Sequence, residues 1–100
     1  MKKIKIPNRL EAEKIIRQHL SGGLVVITRY FKKRLAQRGF SMQDVTHVLK
    51  TGRIYNEPEI DINSGKPRYR VEGETLDEDV LKVIAELYDE KTLLITAFGD

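Results

Sequence analysis

Gly52 divides the chain into two stretches with different hydrophobic periods. Before it, apolar residues recur at three- and four-residue spacing, as on one face of a helix. After it, they alternate with polar residues, as along a strand. A chain with the helical pattern first and the strand pattern second folds as α+β. The expectation is about three N-terminal helices followed by a four- to five-stranded, mainly antiparallel sheet. A length of 100 residues fits one domain, 1–100, and a single core.

Capping signals set the helices. Asn8 followed by Glu11 predicts a helix over roughly 9–20, with Leu10, Ile15, Ile16 and Leu20 as its apolar stripe and Gly22-Gly23 as its stop. Leu24 to Ile27 is short and β-branched, and its length leaves strand or helix entry open. Thr28 caps a second helix that turns Phe31 and Leu35 to the core and ends at Gly39. Ser41 to Asp44 opens a third, lined by Met42, Val45, Val48 and Leu49.

The stretch from Ile54 to Ile62 reads as a strand broken at Pro58, and Asn63 to Lys66 as a turn. From Arg68 to Glu72 the alternation puts Tyr69 and Val71 inside, with Arg68, Arg70 and Glu72 on the other face. Glu74 to Asp79 reads as a solvated acidic loop. Val80 to Tyr88 and Leu93 to Phe98 read as central strands joined by a short turn. A helix over 76–88 is the competing reading, because Asp77 can cap it.

Charge is unevenly spread. Residues 1–56 carry 13 Lys and Arg against 3 Asp and Glu, residues 71–100 carry 2 against 9, and the net charge is +3. Such a split suits a cationic face that attracts a polyanion or an acidic protein, or pairing of opposite charges within the fold. The chain has no cysteine, which excludes disulfides, thiol catalysis and Cys-based zinc sites. It has no apolar run of the ~18 residues that a membrane span needs. The basic start lacks the apolar stretch of a secretory signal, so a cytoplasmic location and no membrane association are expected.

The second helix is the most unusual segment. Arg29, Lys32, Lys33, Arg34 and Arg38 follow one another with no acid among them. Tyr30, Arg34 and Arg38 lie one turn apart and share a stripe. Like charges at that spacing repel unless an anion relieves them, and two guanidinium forks match phosphate oxygens. Arg29 and Lys33 extend the same basic surface. Arg68 and Arg70 form a second pair, a cationic surface if their face of the sheet turns away from the helices. The alternative is that carboxylates of the acidic half neutralise these arginines. His19 and His47 lack metal-ligand spacing, and both are read as polar-surface or helix-end residues. The glycines form no phosphate-binding loop. No cofactor and no metal is called for.

The segments Ile27-Thr28-Arg29-Tyr30-Phe31, Arg34, Arg38-Gly39-Phe40-Ser41, Asp44-Val45, Val48-Leu49 and Gly52-Arg53-Ile54, with Pro67-Arg68-Tyr69 further on, resemble a bacterial domain-of-unknown-function family, number 4258. The likeness runs over about 25–98. The family resembles in turn the barnase–EndoU–colicin–RelE group of ribonuclease toxins, which implies helices before an antiparallel sheet, RNA as a partner and an antitoxin-like protein as another. On that resemblance Tyr30, Arg34 and Arg38 are the catalytic candidates, and Arg29, Lys33, Arg68 and Arg70 the nucleic-acid contacts. Tyr30 stands where the family usually has histidine, and a phenol is a poor base at neutral pH. The resemblance therefore implies an RNA-binding or RNA-cleaving module and leaves turnover open. The alternative is a non-catalytic protein-interaction domain whose arginines are structural.

Overall fold

The computed structural model describes residues 6–100. Helix α1 (Arg9–Ser21) starts with the reciprocal cap that the sequence announces: the Glu11 N–H donates to Asn8 Oδ1 at 2.9 Å, and the Asn8 N–H to Glu11 Oε1 at 3.1 Å. Its buried face runs through Ala12, Glu13, Ile16 and His19. Leu10, expected on the apolar stripe, is 70% exposed. It lies two residues before Ala12, about 200° around the helix, and so points away from the core. His19 is corrected in the opposite sense. It is buried one turn after Ile16, with Nδ1 2.9 Å from Thr92 Oγ1 and Nε2 3.2 Å from the Asp89 carbonyl.

Within residues 24–27 the chain forms a strand and not a helix entry. Strand β1 (Val25–Ile27) pairs in parallel with the last strand, β6 (Thr92–Phe98). The sheet is therefore mixed and six-stranded rather than four- to five-stranded. Parallel neighbours need a long crossover, and here nearly the whole chain between β1 and β6 supplies it.

Helix α2 (Arg29–Gln37) begins with Thr28 Oγ1 accepting from the Phe31 N–H at 3.0 Å, and it buries Phe31 and Leu35. Gly39 ends it at φ 77°. The Phe40 N–H donates to the Leu35 carbonyl and the Gly39 N–H to the Ala36 carbonyl, the paired bonds of a Schellman stop. Helix α3 (Met42–Thr51) opens on the Ser41–Asp44 capping box and buries Val45, Val48 and Leu49, with Met42 half-buried.

The expected strand from Ile54 to Ile62 is two short pieces, β2 (Arg53–Ile54) and β3 (Glu59–Ile60), separated around Pro58 and both antiparallel to β4 (Pro67–Glu74). β4 pairs with β5 (Val80–Leu87) and β5 with β6, giving the order β1-β6-β5-β4-β2. The helical alternative for 76–88 is thereby overturned: Val80–Leu87 supplies the partner that both β4 and β6 require. A bulge in β6 inserts Ile95, because the register passes from Ile84–Thr96 to Ala85–Leu94.

One sheet face contributes Tyr69, Val71, Leu81, Val83, Ala85, Leu94 and Ala97 to the single core, against the buried sides of the three helices. The opposite face carries Arg68, Arg70, Glu72, Lys82, Ile84 and Glu86. Where α3 passes into β2, a Cβ on Gly52 would lie 2.6 Å from the Val48 carbonyl oxygen and 2.8 Å from that of Glu72. Only glycine allows helix and sheet to meet there.

Candidate anion-binding cleft

Arg34 lies on the last turn of α2 and Arg38 is its C-cap residue, each one turn on from a buried anchor, Phe31 and Leu35 respectively. They line an open cleft of about 820 Å³ together with Gln37, Gly39 and Phe40. Glu78, Asp79 and Val80 at the start of β5, and Gly99 and Asp100 after β6, form the facing wall. Sheet register explains why these distant segments meet. Lys82 pairs with Phe98, so the residues before Val80 lie beside those after Gly99.

Among the described residues, none of the five α2 cations has a carboxylate within 4.0 Å. Among the described residues, the Nε of Arg34, like that of Arg70, is shielded from solvent and has no hydrogen-bond partner. Its guanidinium carbon lies 6.0 Å from the centroid of the Tyr30 ring, as the one-turn spacing requires. Tyr30 itself is 58% exposed and stands outside the cleft lining. Arg29, Lys32 and Lys33 are exposed on the solvent side of α2.

The sheet arginines are placed differently. Arg68 donates from Nε to Glu86 Oε2 at 2.7 Å, and its Nη2 lies 3.4 Å from Asp61 Oδ1. Glu86 is 2% exposed. Burial works against its charge, but hydrogen bonds from Tyr88 and Arg68 and the Arg68 charge outweigh it and hold the carboxyl below its usual range. Arg70 donates from Nη2 to Asn56 Oδ1 at 2.7 Å, and its Nε lies 3.8 Å from Glu72, too far for a hydrogen bond. The expected cationic sheet surface is thus a face of mixed charge, because Asp61, Glu72 and Glu86 share it with the arginines. Arg68 and Arg70 line a second cleft of about 340 Å³ that has no residue in common with the first. The structure therefore brings Arg34 and Arg38 together in the cleft, sets Tyr30 beside Arg34 outside it, and leaves Arg68 and Arg70 elsewhere.

Two groups of residues escaped the sequence reading. Glu78 and Asp79 are exposed loop residues, as the sequence reading has them, but they also line the cleft with the α2 arginines, which that reading does not foresee. Hairpin register between β5 and β6 was the signal that could have placed them. Glu13 is buried in α1, where its carboxylate accepts from the Ile54 N–H at 2.9 Å and from Arg53 Nη1 at 3.3 Å. His47 is half-buried on α3. Among the described residues no group of three or more His, Cys, Asp or Glu is placed to hold a metal, and no helix is long and apolar enough to cross a membrane.

A family model described as Domain of unknown function (DUF4258) matches residues 27–99. That span contains Tyr30, both arginine pairs and the Glu78–Asp79 turn, and it leaves out α1. No curated protein and no solved structure matches the chain.

Proposed function

The chain belongs to the DUF4258 family of domains of unknown function, and we propose that within it this chain is an RNA-binding module that grips phosphate oxygens with Arg34 and Arg38. One observation carries the reading: the α2 cations have no carboxylate partner among the described residues, whereas both sheet arginines are bound to polar neighbours. A buried guanidinium N–H without an acceptor costs about 1–3 kcal/mol, which an anionic ligand would offset. Arg34 and Arg38 present paired donors of the kind that hold phosphate in fixed geometry. Arg29, Lys32 and Lys33 continue the positive surface along the helix, where a strand of nucleic acid can track.

RNA is favoured over an acidic protein for two reasons. The exposed Tyr30 ring beside Arg34 offers a face on which an unpaired base can stack. The resemblance to ribonuclease toxins points to the same ligand. Arg68, fixed between Glu86 and Asp61, fits the structural role of the alternative reading and is given no leading part in binding.

The test is a titration of single-stranded RNA at several salt concentrations. Binding should weaken steeply with salt, at about 0.7 in log–log slope for each phosphate contacted. The Arg34→Ala, Arg38→Ala double variant should lose most of the affinity and part of the slope while melting near the parent. Full retention of binding by that variant overturns the reading. So does a variant that melts far below the parent, because it would make the two arginines structural.

A further inference from the structure

We infer that two copies of this chain join edge to edge through β1, with Val26 facing its own copy across a two-fold axis. This edge has no residue in the arginine cleft, and the pairing holds whether or not RNA binds there.

The two edges of the sheet are built differently. At the far edge β2 and β3 carry exposed Arg53 and Glu59 and are separated by Pro58. Charges and proline keep an edge from accepting another strand. β1, at the other edge, has neither. It lies in the run Leu20 to Thr28, nine residues without a charge, and Leu24 and Val26 are 46% and 42% exposed. Among the described residues nothing pairs with its outer edge.

The ladder to β6 fixes which backbone groups are free. Thr92, opposite Val25, donates its N–H to the Leu24 carbonyl at 3.0 Å. Bonding residues alternate along a parallel ladder, so Val26 turns its N–H and C=O to β6, and Val25 and Ile27 turn theirs outward. An antiparallel copy of the same strand matches that pattern. Centred on Val26, it sets Val25 opposite Ile27 of the second copy and Ile27 opposite Val25, and each of these pairs exchanges both of its bonds. Val26 meets Val26 of the second copy between them, as a close pair without hydrogen bonds. Leu93, half-buried beside Val26 on the outer face, extends this contact into an apolar row of Leu93 and Val26 from each copy.

Charge favours a self-pair. The uncharged run has nothing to attract a charged strand. In this register Arg29 lies opposite Gly23 of the second copy, which has no side chain to obstruct it. The two Arg29 residues stand about 20 Å apart along the strands, beyond the ~8 Å screening length at physiological salt. Pairing uses up the free edge of both β1 strands, so assembly closes at two copies.

Sedimentation equilibrium on the full chain tests this. One short strand from each copy makes a small interface, so association in the micromolar range is expected. The mass should rise from 11.6 kDa towards twice that value as concentration increases. Val26→Lys sets two ammonium groups against each other at the axis and should stay at 11.6 kDa throughout. Its side chain is on the surface, and a melt matching that of the dilute parent confirms the fold. The chain has no cysteine, so Val26→Cys supplies a single thiol. Opposed residues of a pair without hydrogen bonds have Cα atoms about 4.5 Å apart, within disulfide range. Mild oxidation should therefore convert most of Val26→Cys to a covalent dimer. Leu24→Cys, similarly exposed, is the control. In this register its two positions lie about 14 Å apart, and it should cross-link at least about 10-fold more slowly. A parent that stays monomeric through the micromolar range overturns the inference and leaves the edge to a strand of another protein. A dimer that persists in Val26→Lys, or equal cross-linking at both positions, overturns it too, because either places the contact elsewhere.

Discussion

Arg68 and Glu86 face each other directly across the β4–β5 ladder, and the Arg68 Nε donates to Glu86 Oε2 at 2.7 Å. The pair lies on the sheet face away from the helices, yet Glu86 is buried, capped by Arg68 and by the Tyr88 hydroxyl that donates to its other oxygen. Glu86→Gln removes the charge and leaves Arg68 Nε with a weaker acceptor, and it should cost about 1–3 kcal/mol. The pH dependence has a definite sign. A carboxyl held below its usual value stabilises the fold above that value, 4.5, and the contribution is lost as pH falls through the lower, folded one. The parent's melting temperature should therefore drop on acidification below about pH 4.5, more steeply than that of Glu86→Gln. Equal slopes in the two proteins would mean that Glu86 does not titrate with unfolding.

Glu13 ties the first helix to the sheet. Its carboxylate accepts from the Ile54 N–H, while Arg17 donates from Nε to the Lys50 carbonyl at 2.8 Å and from Nη2 to the Gly52 carbonyl at 2.7 Å. These groups sit at the α3–β2 junction, where backbone hydrogen bonding changes hands. Glu13→Ala should cost about 2 kcal/mol by leaving a buried N–H without an acceptor. On a chain of this size that is a fall of roughly 10 °C in melting temperature. Glu13→Gln keeps an acceptor for Ile54 and should cost less. Calorimetry on the two variants distinguishes loss of the acceptor from loss of the charge.

Tyr69 makes the alkaline counterpart. Its ring is in the core and its hydroxyl donates to the Pro7 carbonyl. Burial first, and then the charges of Glu11 and Glu57, push the phenol up from 10 to about 12. A group whose folded pKa is raised stabilises the fold fully below the unfolded value and stops doing so as pH rises through the folded one. The denaturation midpoint should fall between pH 10 and pH 12 in the parent and change less in Tyr69→Phe.

Much of this was legible in the sequence, and the parts that were not have physical reasons. Asn8 with Glu11, Thr28, and Ser41 with Asp44 fix the helix starts through bonds that span three residues, so local reading finds them. Tyr69 and Val71 were placed inside by alternation alone. Leu24 to Ile27 stays open in the sequence because four residues are too few to show a period, and the partner of β1, β6, lies far along the chain. His19 reads as a surface residue because what covers it, Thr92, arrives from another element. The cleft was half legible. The α2 cations announce themselves, but the wall opposite depends on β5–β6 register and has no local signature.

Two glycines separate backbone strain from steric conflict. Gly39 has φ 77°, and a Cβ there would meet nothing within 4 Å. Gly39→Ala should therefore cost only the left-handed conformation, about 1–2 kcal/mol. Gly52 has an extended backbone, but an added Cβ would strike two backbone carbonyl oxygens and approach Val71 Cγ1 at 3.1 Å. Backbone cannot rotate aside as a side chain can, so Gly52→Ala should be the more damaging of the two, by urea denaturation of both proteins. A Gly52→Ala variant as stable as Gly39→Ala would mean that the α3–β2 junction gives way easily.

The same contrast, drawn between arginines, tests whether function or stability keeps each one. Methionine approximates the apolar stem of arginine and removes the charge and donors. At Arg68 the substitution strands the buried Glu86 carboxylate and leaves Asp61 without its cation, so Arg68→Met should be clearly destabilising, by about 3 kcal/mol or more. At Arg34 no carboxylate among the described residues is deprived of a partner, and the shielded Nε that lacks an acceptor among them disappears. Arg34→Met should therefore melt at or above the parent, since a destabilising orphan donor is gone and repulsion with Arg38 one turn away is relieved. RNA affinity should move the other way: sharply down in Arg34→Met and little changed in whatever fraction of Arg68→Met remains folded. Melting curves and RNA titrations on the two variants check this crossing of effects. If Arg34→Met is the less stable protein of the two, the α2 arginines are structural after all, and the case for an anion site at the end of that helix fails.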